Sequence, residues 1–237
     1  MKKKILVTGA DGRFANILKK KNKKLHLIFL NKKKLDILNL RSIENCFSKY
    51  KPNIILHCAG LSSPMSLHDE DPTRSIDLNI VGTANIVKIC IKFNVKIIFF
   101  STGYIYDGIK GNFSEQDPVK PFNNYGLSKL GSECSVQMYK NSLILRITMT
   151  EKPFKHPKAY TNLISNFMYH EDLVEILPYL INKFGIINVG GKKQSIFNFA
   201  KKTNYRVKKT LLKKNSNFPK NQYMNLSLLK NILKNKK

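Results

Sequence analysis

Four pairs of tyrosine and lysine lie four residues apart, a spacing that suits acid–base chemistry. On a helix, residues i and i+4 share one face, so the ammonium group favours the phenolate and helps the hydroxyl exchange a proton near neutral pH. The spacing does not select one pair, because lysine is abundant in this chain. The pairs are Tyr106/Lys110, Tyr125/Lys129, Tyr179/Lys183 and Tyr205/Lys209.

The surrounding sequence selects Tyr125/Lys129. This pair opens a predicted helix with an apolar side, and it follows a predicted strand that ends in the hydroxyl residues Ser101 and Thr102. Hydroxyls at the carboxyl end of a central parallel strand lie in the crevice where ligands bind. The other three pairs lie in a glycine-interrupted loop, in a helix with no such strand before it, and in a lysine-rich, β-like stretch.

The first predicted strand, residues 5–7, runs into a turn of small residues and then into a helix. Gly9, Gly12 and Ala15 have the spacing of a dinucleotide-binding turn: the first permits the tight turn, the second admits a pyrophosphate, and the third lets the helix pack on the strand. The N–H groups and dipole of the helix would face the phosphates. This pattern predicts a nucleotide site, and the alternative is an ordinary strand–helix turn.

The end of the second predicted strand, residues 25–30, bears on the choice of nucleotide. An acidic residue about 20 positions past the glycines would bind a ribose 2′-hydroxyl and disfavour a 2′-phosphate. The chain instead has Asn31 followed by three lysines. This favours NADP(H), with NAD(H) left open.

Two later features complete the predicted crevice. The turn Ala59-Gly60 follows a third predicted strand, residues 53–58, where a cofactor would cross the sheet. The long helix predicted over residues 73–93 contains Asn79. An asparagine inside a helix competes with backbone hydrogen bonds, so its side chain is either exposed or holding another group.

The composition is that of a lysine-rich globular protein. Its 237 residues can bury one large α/β core, with or without a small lobe. The formal net charge is +27, yet only five of the 42 basic residues are arginine, and lysine, asparagine and isoleucine together suggest drift toward A/T-rich codons. We therefore interpret the charge as a solvated surface and do not expect a nucleic-acid partner.

The sequence predicts no metal site, disulfide framework or membrane span. The four cysteines are widely spaced, without C-x-x-C or a histidine at ligand spacing. No run of about 18 apolar residues occurs, and the apolar run near the start ends at Thr8, too early for a signal peptide. We expect reduced thiols and a cytoplasmic location.

The ordered motifs resemble those of the extended short-chain dehydrogenase/reductases, which include nucleotide-sugar reductases, epimerases and dehydratases. Residues 101–108 (STGYIYDG), 115–118 (EQDP) and 121–129 (PFNNYGLSK) look most like the dTDP-4-dehydrorhamnose reductase branch. The resemblance extends from residue 8 to about residue 202. It implies an α/β fold with a doubly wound, Rossmann-type parallel sheet and a small C-terminal substrate lobe.

The resemblance also implies roles for individual residues. Thr102 would polarise a substrate carbonyl, Tyr125 would transfer the proton, and Lys129 would bind the nicotinamide ribose and lower the pKa of Tyr125. The residues expected beside the substrate are Ser101, Gly103, Tyr104 and Arg146. The residues expected to bind the cofactor are Gly9, Asp11, Gly12, Arg13, Phe14, Asn31, Asp36, Ile37, Ala59, Gly60, Asn79, Tyr125 and Lys129.

One position leaves the reaction open, because the rhamnose-reductase branch usually has aspartate directly after the catalytic threonine and this chain has Gly103. The leading prediction is an NADP(H)-dependent oxidoreductase that reduces a keto group on a nucleotide-activated deoxysugar, for polysaccharide biosynthesis. One alternative is an epimerase or dehydratase with bound NAD. Another is a nucleotide- or nucleic-acid-binding protein of the same fold without turnover.

The last third of the sequence predicts a reduced substrate lobe. We place an NAD(P)-binding domain over residues 1–147 and the lobe over residues 148–237. Residues 148–165 show no clear period and are expected to cover the substrate as a loop, while His170 is expected to be structural. The lobe is shorter than is usual for the family, which leaves open a homodimer whose second subunit completes the pocket.

Overall fold

The computed structural model describes residues 3–213 and 218–235, and the strands of its central sheet form where the sequence has short apolar runs. The strands, in chain order, are β1 (Lys4–Thr8), β2 (His26–Leu30), β3 (Ile54–His57), β4 (Lys96–Thr102), β5 (Ser142–Ile147), β6 (Met149–Thr150), β7 (Lys158–Tyr160), β8 (Ile164–Ser165), β9 (Met168–Tyr169), β10 (Gly185–Val189), β11 (Gln194–Ser195) and β12 (Lys208–Thr210).

Six of these strands form one parallel sheet in the order β2-β1-β3-β4-β5-β10. Every residue of β4 and β5 is buried, as expected for central strands covered on both faces. The chain passes from β1 to β2 on one side and then crosses back to β3 on the other. The carboxyl ends of β1 and β3 therefore border the switch point where such sheets bind ligands.

Helices cover both faces of the sheet. They are α1 (Arg13–Lys21), α2 (Leu40–Tyr50), α3 (Leu67–Glu70), α4 (Pro72–Ser75), α5 (Gly82–Phe93), α6 (Asn124–Gln137), α7 (His170–Leu180), α8 (Ile196–Lys201) and α9 (Ser227–Lys234). One apolar core joins α1, α7 and α9 to the sheet, and a second joins α2, α5 and α6 to its other face. This confirms the predicted doubly wound, Rossmann-type fold.

The segment predicted as a loop over residues 148–165 contains three short strands. Strand β6 pairs with β9, β7 with β12, and β8 with β11. The sequence did not reveal these strands, because each has only two or three residues, too few to show a period, and each pairs with residues outside its own strand's neighbourhood. That the segment covers a substrate remains a prediction.

The C-terminal part of the chain contributes to both the lobe and the sheet. Aromatic and aliphatic side chains from residues 154–212 form a separate core, which gives the lobe its own interior. Strand β10 nevertheless pairs with β5, so the central sheet extends past the predicted boundary at residue 147. His170 begins α7, and its ring lies edge-on to Phe14 with 5.8 Å between centroids. This packing agrees with the structural role predicted for His170.

No helix among the described residues combines the length and apolar character needed to span a membrane. The four cysteines are free thiols.

Candidate active site

The turns after β1 and β3 meet at the switch point of the sheet. Gly9 has a φ of +64°, and a β-carbon there would lie 2.7 Å from the Cα atom of Ala59. Gly60 has a φ of +147°, and its β-carbon would lie 2.8 Å from the side-chain oxygen of Asn79. Gly12 follows as the N-cap of α1. The two turns thus form a narrow backbone cradle beside the first N–H groups of a helix, which suits a pyrophosphate.

A buried hydrogen-bond chain that sequence reasoning missed holds the two turns together. The Thr8 hydroxyl accepts from the backbone N–H groups of Cys58 (3.1 Å) and Ala59 (3.0 Å), so its own proton is donated to Nδ1 of His57 at 2.8 Å. Nε2 of His57 therefore carries the ring proton and donates to Thr83 Oγ1 at 3.1 Å. Burial lowers the pKa of His57 to about 3. The sequence signal that could have pointed to this hydrogen-bond chain is His57, a histidine at the end of an apolar strand.

Asn79 lies in a single π-helical turn, Ile76–Val81, between α4 and α5. Its buried amide accepts from the N–H of Leu61 at 2.7 Å and donates to the carbonyl of Leu61 at 3.0 Å. The amide nitrogen also donates to the Ser128 hydroxyl on α6 at 2.8 Å. Asn79 is therefore holding other groups, and it joins the turn after β3 to α6; its contact with the cofactor remains a prediction.

Helix α6 carries Tyr125 and Lys129 and approaches the end of β4 closely. A β-carbon at Gly126 would collide with the carbonyl oxygen of Tyr104, so this glycine lets the helix reach the turn after β4. Thr102, the last residue of β4, lies near enough to the Tyr125 hydroxyl to act on its pKa. In the other three tyrosine–lysine pairs, the two residues do not share a helix. The structure thus brings together the pair that the sequence context selects.

The protonation of Tyr125 differs from the sequence-based expectation. Burial raises the pKa of Tyr125, while the nearby Thr102 hydroxyl and the charge of Arg13 act to lower it. We expected Lys129 to lower this pKa, but its ammonium lies over the ring of Phe99, 4.1 Å from the centroid, against β4. The phenol is therefore protonated at neutral pH.

Ser101 and Arg146 are predicted to contact the substrate, but the structure places both in a buried network around Glu133. Ser101 donates to Glu133 Oε2 at 2.6 Å, and Arg146 Nη2 binds Glu133 Oε1 at 2.6 Å. Arg146 Nη1 also donates to the Tyr106 hydroxyl at 2.8 Å. Because these polar groups are bound within the protein, the substrate role is not supported, and the network instead fixes β4, β5 and α6 relative to one another.

The turn after β4 packs against the C-terminal part of the chain. A β-carbon at Gly103 would lie 2.9 Å from Thr148 Oγ1 and 3.4 Å from the sulfur of Met224. A larger side chain at this position would require Thr148 and Met224 to move, which favours glycine where the resembling branch has aspartate. Tyr104 follows, edge-on to Tyr125 with ring centroids 6.0 Å apart. Tyr104 thus remains beside the proposed proton donor.

The predicted cofactor residues on the glycine turn differ in exposure, with Gly12 exposed and Gly9 half-buried. Asp11 and Arg13 are exposed, and Arg13 Nη1 binds a carboxylate oxygen of Glu151 at 3.3 Å. The ring of Phe14 is buried edge-on to Phe100, at 5.2 Å between centroids, so its side chain packs the core.

The predicted adenine-side residues follow β2. Asn31 is half-buried, with its side-chain oxygen accepting from the N–H of Lys34 at 3.3 Å. Asp36 accepts from the N–H of Leu38 at 3.0 Å, and Ile37 is buried. The structure thus groups these residues at one end of the crevice, and their contacts with a cofactor remain predictions.

A family model described as RmlD substrate binding domain matches residues 2–162. The dTDP-4-dehydrorhamnose reductase of Aggregatibacter actinomycetemcomitans is 29% identical over 152 residues, which are 62% of this chain and 51% of that protein. The methionine adenosyltransferase 2 subunit beta of Xenopus laevis is 28% identical over 114 residues, 48% of this chain and 34% of that protein. The chain thus spans about half the length, or less, of these relatives.

Among solved structures, a dTDP-4-dehydrorhamnose reductase from Bacillus anthracis in complex with NADP superposes with a TM-score of 0.84. The two proteins are 22% identical, and the match covers 97% of this chain and 91% of that one. At this identity the likeness concerns the fold.

Lys129 gives the site a testable pH dependence. Burial lowers the pKa of Lys129 from 10.5 to about 7, against the opposing charges of Cys58 and Glu133. Between these pH values the folded protein binds fewer protons than the unfolded chain, so this group's contribution to stability rises with pH from about 7 to about 10.5. In urea denaturation, the free energy of unfolding of the wild type relative to Lys129→Met should rise by a few kcal/mol over this window.

The exposed Lys88→Met on α5 is the matched control, and its difference from the wild type should not change with pH. Parallel stability curves for the wild type and Lys129→Met would contradict a lysine titrating near neutral pH.

Proposed function

The chain belongs to the RmlD substrate-binding-domain family, and we propose that it is an NADP(H)-dependent reductase of a keto group on a nucleotide-activated deoxysugar. The observation that carries this proposal is the nearness of the Thr102 and Tyr125 hydroxyls to each other beside the backbone cradle. A hydroxyl pair at this edge of the sheet can bind a carbonyl oxygen and deliver a proton to it. The related reductase of Aggregatibacter supports the choice of substrate class.

The cradle fits the pyrophosphate of a dinucleotide, because a β-carbon at Gly9 would fill the space between the two turns. NADPH supplies the hydride when bound. Lys129 would hold the nicotinamide ribose, and Asp36 would lie toward the adenine. Asn31 and the exposed lysines after it offer no carboxylate to a ribose 2′-hydroxyl, which supports NADP(H) over NAD(H).

The protein's own residues account for the proton. The raised pKa of Tyr125 keeps its hydroxyl protonated at neutral pH, as a general acid requires. Thr102 Oγ1 accepts from the N–H of Tyr104 at 3.2 Å, which orients its hydroxyl. Thr102 then polarises the substrate carbonyl, and Tyr125 donates its proton to the oxygen as the carbonyl carbon is reduced. The tyrosinate regains a proton from solvent after turnover.

Two alternatives are less well supported. Dehydratases need acidic groups beside the catalytic threonine, and the nearby Glu133 is bound by Ser101 and Arg146. The second alternative is a protein of this fold without turnover. Its support is the similarity of this chain to a protein named as a subunit of methionine adenosyltransferase. The retained Thr102 and Tyr125 favour catalysis over that candidate.

Replacing Tyr125 tests the proton transfer. Tyr125→Phe keeps the ring and removes the acid, so kcat for NADPH oxidation with a keto-sugar nucleotide should fall by about 10²- to 10⁴-fold. NADPH should still raise the melting temperature of the variant. Tyr205→Phe, in an exposed tyrosine–lysine pair, is the matched control and should keep the wild-type rate. A near wild-type rate for Tyr125→Phe would refute the mechanism.

Asn31 tests the choice of cofactor. Asn31→Asp would place a carboxylate at the end of β2, where it repels a 2′-phosphate and can bind a 2′-hydroxyl. Thermal-shift titrations should show NADPH stabilising the wild type more than NADH does, and the order should reverse in the variant. The control variant is Asn39→Asp, at the N-cap of α2. It makes the same charge change at a position where aspartate caps the helix as well as asparagine does. Stronger stabilisation of the wild type by NADH would overturn the assignment.

A homodimer is the final part of the proposal. Leu127, Cys134 and Met138 are exposed at positions that share one face of α6, and Ile80 packs against Gly131 between them. An apolar stripe of this kind can pair with itself across a twofold axis. In sedimentation velocity, Met138→Glu should weaken self-association and Ile109→Glu, on an exposed loop, should not. A wild type that sediments as a monomer at all concentrations would end this proposal.

A further inference from the structure

His68 is a buried histidine beside the active site that the proposed chemistry does not use. It lies in α3 and is completely buried. Its Nδ1 atom is 2.6 Å from the hydroxyl of Ser75 in α4. This hydrogen bond fixes the orientation of the imidazole within the segment that covers the site.

The imidazole contacts the catalytic tyrosine directly. The ring centroids of His68 and Tyr125 are 5.1 Å apart and the planes are inclined at 58°. The neighbouring residues of both elements are also joined, because Asn124 donates to Asp69 Oδ1 at 2.7 Å. Helix α3 is thus tied to the first turn of α6, and the phenol ring lies between His68 and Tyr104.

The second ring nitrogen of His68 differs from the first. Nε2 is buried and has no hydrogen-bond partner among the residues that the structure describes. A neutral imidazole whose Nδ1–H is donated to Ser75 leaves Nε2 as an unpaired acceptor, at modest cost. A protonated imidazole would bury a charged N–H without an acceptor, which is much more costly. The observed position of the ring therefore requires the neutral form.

We propose that His68 is a positioning residue for Tyr125, anchored by Ser75, and that it holds the phenol in place only while the imidazole is neutral. Protonation would drive the ring toward an acceptor, and the carboxylate of the adjacent Asp69 is the nearest one along the chain. Tyr125 would then lose the contact on one side of its ring. The inference rests on the proposed role of Tyr125 as proton donor.

The charges around His68 set the pH range of this effect. Burial lowers the pKa of His68, Asp69 raises it and Lys129 on α6 lowers it further, with a net shift below the ordinary value of 6.5. Tyr125 is protonated in this range, and Arg74 on α4 is exposed. The midpoint of the protonation of His68 thus lies below pH 6.5.

Two variants separate the anchor from the titration. In His68→Phe the ring contact remains but cannot titrate, so kcat should no longer fall in acid, whereas wild-type kcat should fall by about tenfold per pH unit below the pKa of His68. In Ser75→Ala the anchor is lost but the imidazole remains, so kcat should fall by roughly 10-fold or more at pH 8 with the acid limb retained. The controls are His26→Phe and Ser66→Ala, which change exposed residues of the same types.

A purely structural role would lower the melting temperature of these variants without moving the pH profile. An acid limb unchanged in His68→Phe, or a wild-type kcat in Ser75→Ala, would overturn the proposal. NMR provides a readout independent of turnover: the Tyr125 ring resonances should follow the protonation of His68 in the wild type and lose this step in His68→Phe. If these resonances are coupled but no keto-sugar nucleotide is reduced, the proposed function fails and the positioning contact stands; if they are uncoupled, the inference fails.

Discussion

The three hydrogen bonds of Asn79 connect the two halves of the site. One side-chain amide binds the backbone of Leu61 after β3 and the hydroxyl of Ser128 on α6. Asparagine is poorly suited to a helix interior, and here it lies in a π-helical turn, a distortion often found at functional sites. Without this amide, the turn after β3, which borders the predicted cofactor cradle, would lose its side-chain hydrogen bonds to the π-helical turn and, through it, to the helix that carries Tyr125 and Lys129. The predicted cradle and the proposed proton donor are therefore joined through one buried side chain.

The same edge of the sheet buries several polar groups. His57 is neutral between two threonine hydroxyls, and Glu133 is bound by Arg146 and Ser101. Burial shifts the pKa values of the two predicted catalytic groups in opposite senses: the pKa of Tyr125 rises and that of Lys129 falls to about 7. Desolvation thus keeps the phenol protonated, which suits an acid in the reductive direction. The pKa of Tyr125 is therefore set more by burial than by the charge of Lys129.

The C-terminal part of the chain packs against the predicted site even though it lies far from Tyr125 and Lys129 in sequence. Met224 and Thr148 crowd position 103, and Phe218 packs edge-on against Tyr104 at 6.2 Å between ring centroids. This packing gives the turn after β4 an apolar wall where the related branch has a carboxylate.

The sequence by itself determined the fold class, the family and the choice of Tyr125/Lys129, because these follow from local patterns: apolar runs, small residues at fixed spacing, and a tyrosine and a lysine one helical turn apart. It did not determine which polar residues face a ligand. Ser101 and Arg146 carry functional groups suited to binding a substrate, yet they bind Glu133, and His57 and His68 appeared unremarkable although both lie buried at the site. These outcomes depend on which side chains meet across elements distant in the chain, and only the tertiary structure decides that. The same holds for the pKa of Tyr125, since burial is a property of the assembled fold.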